Sequence, residues 1–398
     1  MASGAAAIQA ANALTARWAG THAGTTDTVF SAAGAWPLLA LLAAGSHGPA
    51  RAELADAVGL DPAEAAGGAR EFLAHVGAVR GVHAATGLWT RRTLSLRPEW
   101  SAELPPGTHE VLTGDPVRDR AALDAWAARH TDGLIEAMPV ALGEDTELVL
   151  AAAQAVGTQW LQPFQEGVAQ PESGPWAGRE LASLSRRTAL LDRVAVAETA
   201  HGPLTVLKVL GDTGVDVHLL LGTAELTAGQ VLSGGVDVLA GRCPVVPGDR
   251  LMYGAVGPGL TVENVRSSSR EPQLDVTTVP FELRAEHDLL ASARLFGLAA
   301  AANVTAGHFD GISPDPLAVG SARQAARASF TALGFRAASV TAVEMYAGGI
   351  PAPPPHLVRR IEAVFDRPFG FLAVHRTSRL ALSAGWVAEP APYVYDAY

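Results

Sequence analysis

The side chains able to do chemistry in this chain are few and dispersed. Twelve histidines are present, and a metal site or a catalytic triad would need two or three of them in register. His22, His47 and His109 are scattered, His130 and His287 fall in amphipathic helical patterns, and His375 lies in a terminal strand pattern. No HExxH motif occurs, and no Cys–His spacing suits zinc. Ser183 and Ser267–Ser269 lack the Gly-x-Ser-x-Gly turn that exposes a nucleophile. The GDTG at Gly211–Gly214 and the GPGL at Gly257–Leu260 are turns, not phosphate cradles, because no Lys-Ser/Thr pair follows. Cys243 reads as a buried or incidental thiol. No catalytic residue, metal or cofactor is assigned, and no enzyme is expected.

What remains is a segment whose chemistry is to be acted upon, Ala332–Arg367. Its first part, from Gly334, has small and β-branched residues (Ala337, Ala338, Ser339, Val340, Thr341, Ala342) and no charge between Arg336 and Val343. Such a run can pair as a strand but has few large side chains to anchor it in a core. The Gly348–His356 run that follows holds Pro351, Pro353, Pro354 and Pro355, which cannot donate to a ladder. A strand-like pattern resumes at Asp366–Val374. The whole reads as a long exposed loop between strands, and such loops in compact domains are usually functional or disordered. Within it stand Tyr346, with Ala347, Gly348 and Gly349 beside it, and then Leu357, Arg359 and Arg360.

The elements that must hold this loop are legible in part. The chain has 398 residues, of which 48% are hydrophobic and 17% charged, so core material is ample. A net charge of −11 disfavours nucleic acid and anionic membranes as partners. One cysteine permits no internal disulfide, which fits a reducing compartment. The opening residues lack the basic start and continuous apolar run of a secretory signal, and Trp36–Ala44 is too short to span a bilayer. A soluble, cytoplasmic monomer is expected, with an extracellular location left open. The Ala-, Gly- and Arg-rich composition points to a GC-rich genome. Helical spacing covers residues 5–19, Leu38–Ala44, Pro49–Val58, Ala121–His130 and His287–Leu295. Strands are expected at Asp27–Ser31, Leu148–Thr158, Val276–Leu283, Leu317–Phe330 and Leu380–Val387, and a hairpin at Leu204–Leu221 around GDTG. The uncharged Leu148–Thr158 run suits the middle of a large sheet. Strands and helices mix without regular βαβ alternation, and no linker divides the chain, so one α+β domain over residues 1–398 is expected.

Taken in order, these segments resemble the serpin family over almost the whole chain. Val29–Leu60 is similar to the family's Phe-Ser strand, central helix and Gly-x-x-Gly turn. Leu123–Ile135 keeps its Trp…Thr-x-Gly-x-Ile spacing in Trp126, Thr131, Gly133 and Ile135. Thr146–Phe164 parallels a central strand that ends in Gly-x-Trp…Phe, with Trp160 and Phe164 in place. His308–Ser313 is close to Asp-Phe-Ser-Gly-Ile, and Asp366–Pro390 is close to the C-terminal strand pair. The resemblance implies a serpin fold with three β-sheets, eight or nine helices and an exposed reactive-centre loop, here residues 335–363. It also implies a mechanism. A protease cuts the loop, and the freed N-terminal half inserts into the central sheet, dragging the protease along as a trapped acyl-enzyme.

Gly334 sits where the family has its hinge glycine, and Phe335, Arg336, Ala337, Ala338, Ser339, Val340 and Thr341 follow as the hinge. Ala332 and Leu333 replace the family's acidic pair. Phe335 replaces a Thr or Ser and is expected to enter the sheet interior at a cost of about 1–3 kcal/mol. The loop is longer than usual, which leaves two scissile regions. Counting forward reaches Tyr346–Gly349 and counting back reaches Leu357–Arg360. Tyr346 or Leu357 implies a chymotrypsin- or subtilisin-like target, favoured here, and Arg359 or Arg360 a trypsin-like one. The expected partner is a serine protease, or a cysteine protease. The alternative is a non-inhibitory serpin-fold protein that binds a small molecule or partner, or has a recruited biosynthetic role, and whose loop does not insert.

Overall fold

A computed structural model describes residues 2–22, 25–140, 142–143, 146–303, 307–335 and 355–394. Its central sheet has five strands in the order β15 (Phe281–Asp288), β16 (Ser321–Phe330), β4 (Leu148–Val156), β2 (Val82–Arg91) and β3 (His109–Leu112). Strand β4 is buried at every position, as its uncharged run requires. It pairs antiparallel with β2 and parallel with β16.

A seven-stranded sheet follows the order β1 (Thr28–Phe30), β20 (Leu380–Val387), β19 (Phe369–His375), β10 (Val215–Leu221), β9 (Gly202–Val209), β8 (Val194–Thr199) and β11 (Val245–Pro247). The β9–β10 hairpin turns through GDTG, where Gly214 takes φ +84°, a conformation side chains avoid. A six-stranded sheet runs β12 (Gly254–Gly257), β13 (Leu260–Ser267), β18 (His356–Val364), β14 (Gln273–Thr278), β7 (Leu181–Thr188) and β6 (Gln165–Ala169). A short pair joins β17 (Gly334–Phe335) to β5 (Thr158–Gln159).

The helices are α1 (Ala2–Ala19), α2 (Ala32–Gly45), α3 (Gly48–Val58), α4 (Pro62–Gly77), α5 (Pro98–Glu103), α6 (Pro116–His130), α7 (Ala228–Ala240) and α8 (Ala293–Phe296). Helix α2 is apolar on all sides and buried except at Ala44; it lies between the central sheet, β20 and its neighbouring helices. One continuous core links it to both larger sheets, and a smaller core under α6 joins Trp126 to Trp89. None of the described helices is long and apolar enough to cross a membrane.

Two expected elements differ. Val276–Leu283 is divided between β14 and β15, which belong to different sheets, because Pro280 cannot carry a ladder across the break. His287 does not begin a helix. It lies in β15 opposite Gln324, and its Nε2 lies 2.8 Å from the Val29 carbonyl. Only Ala293–Phe296 is α-helical there.

His218 on β10 is buried opposite Lys208 and Leu372. Burial, then the Lys208 charge, pull its imidazole down to about 4, with Asp216 acting the other way. A base whose folded pKa lies below its ordinary 6.5 is native when neutral. Its contribution is therefore full above about pH 6.5 and is lost as pH falls toward 4. At about 1.4 kcal/mol per pKa unit the loss is about 3 kcal/mol. His218→Gln is expected to flatten the stability–pH curve across that window in denaturant titrations, and an unchanged curve would refute the assignment.

Candidate functional site

The site is the seam between β4 and β16 and the turn that leaves it. The two strands are parallel, with Ser321–Ala326 opposite Val149–Gln154. Each has an antiparallel neighbour on its other side, β15 for β16 and β2 for β4. The seam is shorter than either flank. Arg327–Phe330 of β16 pair with β15 alone, and Ala155 and Val156 of β4 pair with β2 alone. The sheet is thus split at the end where the chain leaves β16 for Gly334. Parallel ladders are slightly less stable per residue than antiparallel ones, so this seam, like the parallel β2–β3 ladder at the sheet's edge, is a weaker joint than the antiparallel ladders on either side of it.

Three buried polar side chains clasp the seam from the α2 side. Ser31 caps α2, and its hydroxyl accepts from Gly34 N. That hydroxyl lies 2.5 Å from Gln154 Oε1 and 2.7 Å from the Leu382 carbonyl. Gln154 on β4 donates to the Leu382 carbonyl, while Gln324 on β16 accepts from Ser31 N and donates to Ser31 O. All three residues are at most 4% exposed. Opening the seam separates the glutamines from their shared partner. Sequence reading missed this network, although two glutamines interrupting buried strands (AAAQAV and ARQAAR) were a usable signal. Gln324→Leu would leave Ser31 N–H buried without its acceptor. It is expected to lower stability in denaturant unfolding by about 1–3 kcal/mol, and no loss would sink the clasp.

The turn from β16 to β17 is pinned. Phe330 packs among Trp160, Phe164 and Phe281, with centroids 4.9, 5.6 and 5.3 Å away. Trp160 donates from its indole to the Thr331 carbonyl and from its backbone to the Leu333 carbonyl, both at 2.9 Å. Phe164 N donates to the Ala332 carbonyl at 2.8 Å. Main-chain bonds thus hold the positions where the family has an acidic pair. Gly334 pairs with Gln159, and a Cβ on it would lie 2.4 Å from the Thr158 carbonyl oxygen. Its φ is not among the positive ones, so close backbone approach, and not an unusual turn, is what requires glycine here.

Phe335 corrects the expectation most directly. Its side chain does not wait outside the sheet. It is 1% exposed and packs 5.8 Å from Phe371 of β19. Arg336, Ala337, Ala338, Ser339, Val340 and Thr341, and the candidate region Tyr346, Ala347, Gly348 and Gly349, lie outside the described residues.

The second candidate region is not loop. The stretch expected as loop over 335–363 begins in β17 and ends in β18. Leu357 pairs with Arg266 of β13, and its side chain is exposed. Arg359 pairs with Asn264, donates to the Gly248 carbonyl and lies over the Tyr253 ring. Arg360 is flanked by Glu263 of β13 and Gln273 of β14 and bonds the Glu263 carboxylate. Charged side chains at strand positions read as loop from the sequence. Here the sheet supplies their partners.

The other reactive groups do not assemble. Among the described residues no cluster of His, Cys, Asp or Glu could hold a metal. Cys243 is half-buried, and burial, then Asp237, push its thiol up, which keeps it protonated.

Comparison with known proteins agrees with this geometry. The family described as serpin (serine protease inhibitor) matches residues 6–173. Rice (Oryza sativa subsp. japonica) serpin-Z6C is 25% identical over 392 residues, covering 92% of this chain and 91% of its own. Rice serpin-Z2A is 31% identical over 164 residues, covering 35% of this chain and 36% of its own. Among solved structures, native tengpin, a thermophilic serpin, superposes with a TM-score of 0.72 at 12% identity, covering 96% of this chain and 94% of its own. Thyroxine-binding globulin in complex with thyroxine gives 0.71 at 15% identity, covering 97% and 99%. With its three larger sheets, its eight described helices and these likenesses, the chain has the serpin fold, and its residues 6–173 match the serpin family.

Proposed function

We propose that the chain is a suicide-substrate inhibitor of a serine protease, acting by loop cleavage and insertion of the freed strand between β4 and β16. The observation that carries this is the seam. A strand that returns from the hinge runs antiparallel to β16, and therefore to β4 as well. Its insertion would exchange one parallel ladder for two antiparallel ones. The split end of the sheet faces the turn that would feed it. The small residues from Ala337 to Thr341 suit passage between packed strands.

Cleavage is assigned to the Tyr346–Gly349 region and a chymotrypsin- or subtilisin-like target. A cut at Arg359 or Arg360 would require drawing β18 away from β13 and β14. Incubation with chymotrypsin, subtilisin and trypsin is expected to give an SDS-stable adduct with one of the first two. The mass of the released peptide would place the cut near Tyr346. Clean cleavage with no adduct from any of the three would overturn trapping.

A second reading rests on the pinned hinge. If Phe335 and the 331–334 carbonyls hold against insertion, the fold serves as a binding scaffold, as in the thyroxine-binding globulin that shares it. The two readings separate on the thermal behaviour of the cut chain.

A further inference from the structure

The chain carries 40 acidic and 29 basic residues, and several of its arginines are matched by carboxylates. Arg376 holds the buried Asp216, Arg187 holds Asp275, and Arg323 holds Asp288. One cavity breaks this pattern. A hollow of about 410 Å³ opens where β7 of the six-stranded sheet meets β9 of the seven-stranded sheet. Arg186, Arg193 and Lys208 line it, together with Gln162 and an apolar rim that includes Leu161 and Leu190, and no carboxylate lines it.

Arg186 is the unusual member. It is 9% exposed, and among the described residues no carboxylate lies within ion-pair distance of it. One terminal nitrogen donates to the Gln162 carbonyl at 2.8 Å, and the guanidinium lies 4.4 Å from the Phe164 ring centroid. Its Nε is buried with no partner. Burial, then the neighbouring Arg193, draw the guanidinium down to about 10, still charged at neutral pH. A buried charge without a counter-ion is costly, and the ring and one carbonyl offset only part of that cost. Arg193 meets Asp192 at 3.2 Å, and Lys208 makes no ion pair among the described residues.

We propose that this cavity binds a small organic phosphate monoester, with the phosphate on Arg186, Arg193 and Lys208 and an apolar body against the leucine rim. A guanidinium fork suits a phosphate in both geometry and charge. The volume exceeds what a bare phosphate fills, and Leu161 and Leu190 are 61% and 52% exposed, an apolar surface for the remainder of the ligand. The cavity is continuous with the hinge support, because the Gln162–Phe164 segment that Arg186 holds also holds Ala332.

The test uses the intact, uncut chain and no protease, so its outcome is independent of the inhibitory reading. Phenyl phosphate is expected to bind by calorimetry and to raise the melting temperature, whereas phenol, with the ring but not the charge, is expected to do neither. Arg186→Met keeps the bulk and removes the charge. It should weaken phenyl phosphate binding at least about tenfold, a change of about 1.4 kcal/mol, without lowering the ligand-free melting temperature. If that variant fails to fold, the surface pair Arg193→Gln with Lys208→Gln should show the same weakening. Absence of phenyl phosphate binding to the wild type, equal binding of phenol, or binding unchanged in these variants would overturn the proposal.

Discussion

Cutting the chain between Phe335 and His356 is expected to raise its melting temperature by about 10 °C or more. With an unfolding entropy of about 2.1 cal/mol/K per residue, 1 kcal/mol moves the midpoint of a chain this long by about 1 °C. The expected rise is therefore a gain of several kcal/mol, not a local adjustment. It has a specific source. In the intact chain Arg327–Phe330 and Ala155–Val156 each lack a ladder partner on the seam side, and the paired part of the seam is parallel. Once severed, the segment after Phe335 is free to run back along β16. It would satisfy both unpaired edges with antiparallel bonds. Against this stands an ordering cost of about 1–2 kcal/mol per inserted residue. Calorimetry of intact and cut protein at matched concentration reads the balance. A cut form that melts at or below the intact midpoint would mean the strand stays out, and the scaffold reading would then hold.

Phe335→Ala is expected to destabilise the intact protein by about 3–5 kcal/mol, the usual cost of emptying a buried phenylalanine site. The ring is 1% exposed and sits against Phe371, which itself stacks on Phe281 at 4.9 Å. The informative quantity is the comparison with the cut form. If Phe335 keeps its place while the chain beyond it inserts, both forms lose the same amount and their difference is unchanged. If the ring must leave its pocket for insertion to proceed, only the intact form loses, and the gain on cutting grows by the full cost. Chemical denaturation of the two forms decides between these. A loss under about 1 kcal/mol in the intact form would show that the pocket is not what anchors the hinge.

Much of the architecture was legible because it is local. The β9–β10 hairpin follows from two apolar runs around GDTG, and β4 from a run without charge between Leu148 and Thr158. The order of Trp126, Trp160, Phe164 and the C-terminal strand pair carried the family. Where the reading failed, partners from far along the chain decided the outcome. Arg359 and Arg360 looked like loop residues beside four prolines, but Glu263 and the Gly248 carbonyl receive them inside a sheet. Phe335 was expected to enter the sheet interior because it follows the hinge glycine, and Phe371 of the C-terminal hairpin holds it already buried in the uncut chain.

By itself the sequence determined an α+β chain with enough apolar patterning for a large core, a glycine followed by small residues, and a Pro-rich stretch that no central strand could accept. Only the tertiary structure decided that Val149–Gln154 meets Ser321–Ala326 in a parallel seam, that Ser31 bridges Gln154 and Gln324 across it, and that Arg186 is buried without a carboxylate. The physical reason is common to all three. Periodicity records which face of an element is buried, whereas the partner opposite that face is set by chain closure between segments distant in the sequence, which no local pattern encodes.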